Sequence, residues 1–236
     1  MRWEGLTRLL RAAANDDGSA AWHDRLTPDA WQVIRLAAIE ARELGHPCIA
    51  EEHVLLGLLR HRASRAAALL EARGLDLPTA RADLHRVGPT LGSGADPAGA
   101  LRTLGIDVEE VRGRLEATFG AHAVRSAEWR VRRRPRWRGG HPRPSPLCVH
   151  LLAKRSLELA VRFATRRGDA GIGPDHLLYG VLEAARDPLG TQLGRRSRRE
   201  LASLGFTPGR PNPLRLQLEA RGIDLTRLAT ELSASP

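Results

Sequence analysis

Apolar residues recur along this chain at spacings of three and four positions, the spacing of one face of a helix. One such stripe lies near the start of the chain: Trp31, Ile34, Ala38 and Ala41. Thr27–Pro28 precedes it, and this pair is typical of a helix start, with Thr as N-cap and Pro at the first helical position. Gly45 follows it as a stop signal. The pattern therefore predicts a first helix between these signals.

The same periodicity predicts three more helices before residue 88, joined by short turns. We place them at Glu51–Arg60, Arg65–Arg73 and Asp76–Arg86. A separate helix is expected over Asp107–Phe119. Its apolar face comprises four residues: Val108, Val111, Leu115 and Phe119.

An internal repeat sets the architecture. The stretch Ile49–Leu59 returns as Ile172–Leu182, at an offset of 123 residues. A second stretch, Leu70–Leu77, returns as Leu218–Leu225 at an offset of 148, so the second copy carries 25 additional residues. The segment 190–213, rich in Arg, Gly and Pro, supplies them.

These observations predict an all-α fold of two pseudo-symmetric four-helix repeats, with an inserted half-repeat and a basic linker between them. The two copies are expected to pack on each other, because one unit alone has a limited core. The expected divisions of the chain are an N-terminal extension 1–24, a first repeat 25–88, a loop and half-repeat helix 89–124, an Arg/Pro-rich linker 125–146, and a second repeat 147–236 with the insert 190–213.

Composition adds a strong positive charge to this picture. The formal net charge is +10, and it comes almost entirely from Arg. Such a charge suits acidic partners or nucleic acid, but codon bias toward Arg explains it equally well. Neither of the two cysteines, Cys48 and Cys148, lies in a CxxC or Cys/His cluster, so we expect no disulfide framework and a reduced, cytoplasmic setting. No secretory signal and no membrane span is expected.

The residues of the first copy also resemble a known family. The segment Leu44–His46, Ile49 and the run Glu52–Leu59 are similar to the signature of the Clp N-terminal (Clp R) repeat domain, which precedes the AAA+ modules of Clp unfoldases. The resemblance implies a pair of four-helix repeats that docks substrates, adaptors or regulators of the Clp protease system. No GxxxxGK[ST] phosphate-binding loop occurs in the sequence. We therefore expect a stand-alone, ClpC-like N-domain protein without the ATPase modules.

The resemblance further implies candidate sites for phosphoarginine, which Clp N-domains of the ClpC type bind in each repeat. Thr27 and Glu52 are the matching positions in the first copy, and His150 and Asp175 are those in the second. A carboxylate suits the guanidinium, and a helix N-terminus suits the phosphate.

Two positions depart from the family pattern. Glu51 stands where the family has Thr, which adds a negative charge where the phosphate would lie. Pro174 stands at the equivalent position of the second copy and removes a donor N–H. We therefore expect the first copy to be the better candidate for retained binding.

No catalytic or metal-binding residues are expected. His53 and His176 occupy equivalent positions, but no nucleophile or second ligand has matching spacing, so we expect each to be hydrogen-bonded to its neighbouring loop. Gly57 and Gly180 fall in the middle of predicted helices, which favours close helix packing. The chain is accordingly interpreted as non-enzymatic and without a cofactor.

Two cellular roles follow from the resemblance and stay open at this point. The protein is an adaptor that offers clients to a Clp unfoldase, or a decoy that sequesters ligands, including peptide-like antibiotics. A rival hypothesis is a nucleic-acid-binding regulator that uses the Arg-rich stretch 125–138, in which Trp129 and Trp137 are interleaved with Arg.

Overall fold

Helices make up most of the described chain, which confirms the predicted all-α class. The computed structural model describes residues 22–46, 48–84, 107–120, 123, 148–203 and 206–234. A short 3₁₀ helix at Trp22–Arg25 precedes the elements used below. These are α1 (Pro28–Glu43), β1 (Cys48–Ile49), α2 (Glu51–Arg60), α3 (Arg65–Glu71), α4 (Leu77–Leu84), α5 (Val108–Phe119), β2 (Cys148–Val149), α6 (Leu151–Arg167), α7 (Pro174–Arg186), α8 (Arg195–Ser203), α9 (Pro213–Ala220) and α10 (Leu225–Ala234).

The chain divides into two compact units. One combines Met1–Gly94 with Leu147–Pro236 and holds both repeats. The other is Ala95–Pro146, and its described helix is α5. This helix lies where the apolar spacing predicts it, and side chains of its apolar face are exposed: Val111, Leu115 and Phe119.

The four helices of the first repeat begin where their sequence signals place them. The Thr27 hydroxyl accepts a hydrogen bond from the Ala30 N–H at 3.2 Å and caps α1. Gly45 follows the helix with φ of 71°, a conformation that favours Gly. The clearest difference at a helix end is at α3, which stops at Glu71 instead of Arg73.

The two repeats exchange their N-terminal segments around a pseudo-twofold axis. In β1 and β2, which pair in parallel, Ile49 lies opposite Val149. An isolated parallel bridge joins Leu26 to Ile172. At the 123-residue offset, Leu26 is equivalent to Val149 and Ile172 is equivalent to Ile49, so this bridge repeats the pairing of β1 with β2. The segment that precedes the first helix of each repeat therefore pairs with the loop that precedes the second helix of the other repeat.

Cys48 lies opposite Cys148 in the same pair of strands, and Cys48 is disulfide-bonded. The expectation that the cysteines form no bridge is therefore wrong. Their separation of 100 positions in the sequence concealed that the strand exchange brings their backbones side by side. The cysteines therefore no longer support a cytoplasmic location, which stays a prediction.

The insert contains a helix that the sequence pattern did not predict. Within it, Leu201 of α8 and Phe206 are buried against Leu189, Leu152 and Ala50. Leu152 lies in the first turn of α6, and Ala50 directly precedes α2. The insert therefore covers the place where the first repeat meets the start of the second. Asn212, near the end of the insert, contacts one of the candidate site residues, Glu51.

Candidate functional site

Strand exchange places Thr27 next to the second repeat. Its N–H donates to the Ile172 carbonyl at 3.1 Å. Thr27 and Asp175 consequently line the same groove, which has a volume of about 400 Å³. We call this the open groove; it is lined by Thr27, Arg65, Phe163, Arg167, Asp169, Ala170, Gly171, Gly173, Asp175, His176 and Leu232.

Asp175 lies in the first turn of α7 and is one of the groove's two carboxylates. Its side chain is 32% exposed, and its Oδ2 accepts a hydrogen bond from Arg65 Nη1 at 3.0 Å. Arg65 begins α3 of the first repeat, so this ion pair joins the two repeats. A carboxylate in this setting can accept a guanidinium from a ligand as it accepts that of Arg65.

The second carboxylate of the groove, Asp169, is fixed by its neighbours. His176 Nε2 and Arg167 Nε both donate to Asp169 Oδ2 at 2.8 Å. These bonds to His176 and Arg167 lower the pKa of Asp169, because they stabilise its ionised form. Through these two bonds, Asp169 holds the loop between α6 and α7 in place.

An aromatic pair lies beside these charges. The Phe163 ring stacks on Tyr179, with centroids 3.7 Å apart and planes 9° from parallel. The Arg167 guanidinium lies 5.6 Å from the Phe163 centroid, within the range of a cation–π contact. Phe163, which is buried, thus lines the open groove beside two carboxylates, Asp169 and Asp175. The groove also has two guanidinium groups, those of Arg65 and Arg167.

The other candidate residues occupy a closed position, by which we mean Glu51, Glu52 and His150. Their exposures are 0%, 3% and 5%, so none of the three faces solvent. The space beside Glu52, bounded in part by Gln217 and Leu218 of α9, holds only about 10 Å³. That volume admits one water molecule at most, which excludes a side chain of a ligand.

Glu51 bonds the first repeat to α6 and to the end of the insert. Asn212 Nδ2 donates to its Oε2 at 2.8 Å, and Ser156 Oγ lies 2.9 Å from its Oε1. Ser156 Oγ also lies 3.1 Å from the Leu152 carbonyl. Ser156 has one hydroxyl proton, which it donates to Glu51 Oε1 or to the Leu152 carbonyl oxygen.

Burial acts on the pKa of Glu51 in the direction opposite to these hydrogen bonds. Desolvation raises the pKa of Glu51 to about 7, against the opposing effect of the Asn212 and Ser156 hydrogen bonds, and nearby Asp187 raises it further. Glu51 is therefore a buried acid that connects two repeats, and it does not place a charge in a ligand site.

His53 and His176 cap their helices in the same way. Each Nδ1 accepts a backbone N–H three residues earlier, from Ala50 or Gly173, at 2.9 Å. Each Nε2 then carries the proton and donates to the preceding loop, to His46 Nδ1 at 2.9 Å or to Asp169. The prediction that these histidines bond to their neighbouring loops is confirmed.

His46, Glu52 and His53 bring three potential metal-ligand atoms within 4.8 Å of one another. Metal binding at His53 Nε2 would require removal of its proton and loss of the bond to His46. Burial, together with repulsion from His46 and His150, lowers the pKa of His53 to about 3, so the ring stays neutral. The bonding pattern favours a structural cap over a metal centre.

His150 caps α6 through its side chain. Its Nδ1 accepts a hydrogen bond from the Leu152 N–H at 3.3 Å, and its own backbone N–H donates to the Ile49 carbonyl at 2.8 Å. Burial lowers the pKa of His150 to about 4, which keeps the ring neutral as well. His150 therefore contacts the loop before Glu51 and does not line the open groove with Asp175.

The site residues expected from the sequence are therefore paired differently in space. The resemblance groups Thr27 with Glu52 and His150 with Asp175, whereas the structure brings Thr27 to Asp175 and His150 to the loop before Glu51. Arg65 was missed, because no motif marks a residue that reaches across from the other repeat. The apolar residues before each first helix, Leu26 and Val149, were the available signal for strand pairing.

The Arg/Trp stretch 125–138, on which the nucleic-acid hypothesis depends, lies outside the described residues. Within the described insert, α8 exposes Arg195, Arg198 and Arg199. Among the residues that the structure describes, none of the helices has the length and apolar character needed to cross a membrane.

Comparison with known proteins gives a consistent result. Residues 25–98 match the family described as Clp repeat (R) N-terminal domain. Chloroplastic chaperone protein ClpC1 of Oryza sativa subsp. japonica is 30% identical over 232 residues, which cover 92% of this chain and 20% of that protein. A probable ATP-dependent Clp protease ATP-binding subunit of Chlamydia pneumoniae is 40% identical over 78 residues, covering 32% of this chain and 9% of its own length.

Among solved structures, the N-terminal domain of the chaperone ClpD from Arabidopsis thaliana has a TM-score of 0.47 at 16% identity, covering 91% of this chain and 96% of that one. The chain spans about a fifth of the length of the ClpC1 relative.

Proposed function

Because residues 25–98 belong to the Clp repeat (R) N-terminal domain family, we propose that this chain is a protein- and peptide-binding module of the Clp system. It captures its clients in the open groove. The observation that carries this proposal is the partly exposed carboxylate of Asp175, which lies at the first turn of α7 in a groove of about 400 Å³. Pockets of this kind, apolar with a few convergent polar groups, are typical of ligand sites.

The groove suits an arginine side chain, and phosphoarginine in particular. Asp175 accepts the guanidinium, and the N-terminal turn of α7 together with Arg65 and Arg167 attracts the phosphate. Thr27 lines the same groove. This pairing supports the second copy's Asp175 as the recognition residue, with Thr27 from the first copy.

Of the two candidate positions, both among the described residues, the open groove alone has room for a ligand side chain, which supports one phosphoarginine per chain. The closed position is filled by α9 beside Glu52 and by Asn212 of the insert beside Glu51, so Glu52 contributes to packing and not to recognition. Two equivalent repeats would otherwise lead one to expect two equivalent sites. We therefore expect one binding event in a calorimetric titration with free phosphoarginine.

The Asp175→Asn variant tests this site. Loss of a charge-assisted hydrogen bond corresponds to about 1.5–3 kcal/mol, so we expect affinity for phosphoarginine to fall roughly ten- to hundredfold. Asp29→Asn is the matched control, because Asp29 is a 69% exposed carboxylate in the first turn of α1 and does not line the groove. Unchanged affinity in Asp175→Asn, or loss of affinity in Asp29→Asn as well, would refute the proposed site.

The adaptor and decoy roles share this capture step and differ in the fate of the captured ligand. An adaptor forms a ternary complex with client and unfoldase, whereas a decoy competes with the unfoldase's own N-domain for the ligand. Gel filtration of this chain with a purified Clp unfoldase and an arginine-phosphorylated protein separates the two roles. Peptide-like antibiotics and nucleic acid gain no support from the described groove and stay predictions of the sequence.

A further inference from the structure

Arg65 is held firmly at the rim of the open groove. It is the first residue of α3, whose N-cap Ser64 accepts a hydrogen bond from the Ala67 N–H at 3.2 Å. The next residues of that helix, Ala66 and Ala67, are fully buried, so the backbone that carries Arg65 has a fixed position. Only the side chain, which is 45% exposed, can adopt other rotamers.

The two carboxylates of the groove differ in how readily they can exchange partners. Asp169 accepts two hydrogen bonds at 2.8 Å from groups that also hold the loop. Asp175 has its ion pair with Arg65 at 3.0 Å, and both partners are partly exposed. Exposed pairs of this kind are weak, because water and salt compete with them. Asp175 is therefore the carboxylate at which a guanidinium from outside can replace the one already bound.

We propose that Arg65 is a built-in competitor for the arginine side chain of a client: it occupies Asp175 in the protein without ligand and leaves it when the client's guanidinium binds. This inference rests on the proposed function of the open groove. Exchange of one guanidinium for another leaves Asp175 neutralised throughout, so the site never exposes an unpaired charge. The internal pair also sets a threshold, because a weakly held cation does not displace Arg65.

Removal of the competitor should tighten binding of a ligand that offers only a guanidinium. We expect Arg65→Ala to lower the Kd for an end-blocked peptide with a single arginine by about two- to fivefold, the range that corresponds to an exposed ion pair. The measurement is a titration of wild type and variants with that peptide at low ionic strength, followed by NMR. Arg62→Ala is the matched control, since Arg62 is a 74% exposed arginine that pairs with Glu71 outside the groove.

The double variant Arg65→Ala/Asp175→Asn completes the test. If Arg65 acts through Asp175, the gain from Arg65→Ala disappears when the Asp175→Asn change is already present. A gain that persists in the Asp175→Asn background, or the absence of a gain in Arg65→Ala, overturns the competitor role while the proposed groove stands. If instead Asp175→Asn does not weaken binding in the first place, the groove assignment itself is wrong.

Discussion

Substitution of Gly180 by Ala is expected to lower the free energy of unfolding by about 3 kcal/mol. A Cβ at this position would lie 2.1 Å from the Ser156 carbonyl oxygen and 2.9 Å from the Ala160 nitrogen, both backbone atoms of α6. Backbone atoms cannot rotate away, so α6 and α7 would have to separate. The gain in helix propensity from Gly to Ala, about 1 kcal/mol, opposes this effect but is smaller.

Thermal unfolding followed by circular dichroism measures the effect, and a fall in Tm of roughly 5–15 °C is expected for a chain of this size. Gly113→Ala is the control, because Gly113 lies in helix α5 with no atom within 4 Å of the added Cβ. That control should be neutral or slightly stabilising. An equal Tm for Gly180→Ala and wild type would contradict the close packing of α6 and α7.

The second large effect concerns Glu51 and pH. Its folded-state pKa is raised from 4.5 to about 7, so the folded protein binds this proton more tightly than the unfolded chain does. The corresponding stability is fully present below pH 4.5 and is lost as pH rises through 7. The shift amounts to a loss on the order of 3 kcal/mol across this window.

Glu51→Gln should remove most of this pH dependence. The Gln amide N–H can donate to Ser156 Oγ and its oxygen can accept from Asn212, but the amide is neutral at every pH. We expect the variant to match wild type near pH 5 and to exceed it above pH 8, as measured by urea unfolding at each pH. Glu158→Gln, which changes a 45% exposed carboxylate on α6, should follow wild type throughout. A Glu51→Gln variant that is less stable than wild type at pH 8 would contradict the buried-acid interpretation.

Local signals in the sequence were sufficient to place the helices of the first repeat. The Thr27 cap, the Gly45 stop and the glycines that allow close packing all act within one helix or between neighbours in the chain. Each of these signals is therefore readable from one stretch of sequence. The repeat offset likewise identified Gly57 and Gly180 as one packing feature used twice: a Cβ at Gly57 would lie 2.5 Å from the Val33 carbonyl oxygen.

The pairing of the candidate site residues could not be read in this way. Strand exchange is a tertiary event, and a duplicated sequence is equally consistent with each repeat using its own N-terminal segment or that of its partner. The sequence therefore ranked the first copy as the better site, whereas the accessible carboxylate is Asp175 of the second. Helix α8 was missed for a related reason, since an Arg-rich segment has little apolar periodicity and its contact through Leu201 depends on the rest of the fold.

The insert explains the asymmetry between the two sites. It brings Asn212 to Glu51 and is followed by α9, whose Gln217 and Leu218 fill the space beside Glu52. Asp175 of the second repeat is contacted by Arg65 of α3, and its side chain remains 32% exposed. One candidate position is thus part of an open groove, and the other is a structural junction.

The location of the ligand tests this account most directly. ¹⁵N-labelled protein is titrated with free phosphoarginine, and the backbone amide shifts are mapped onto the structure. We predict that the largest changes fall on Thr27 and on the stretch Asp169–His176, with saturation at one ligand per chain. Changes centred instead on Glu51, Glu52 and the start of α9 would show that the closed position is the binding site and would contradict the account.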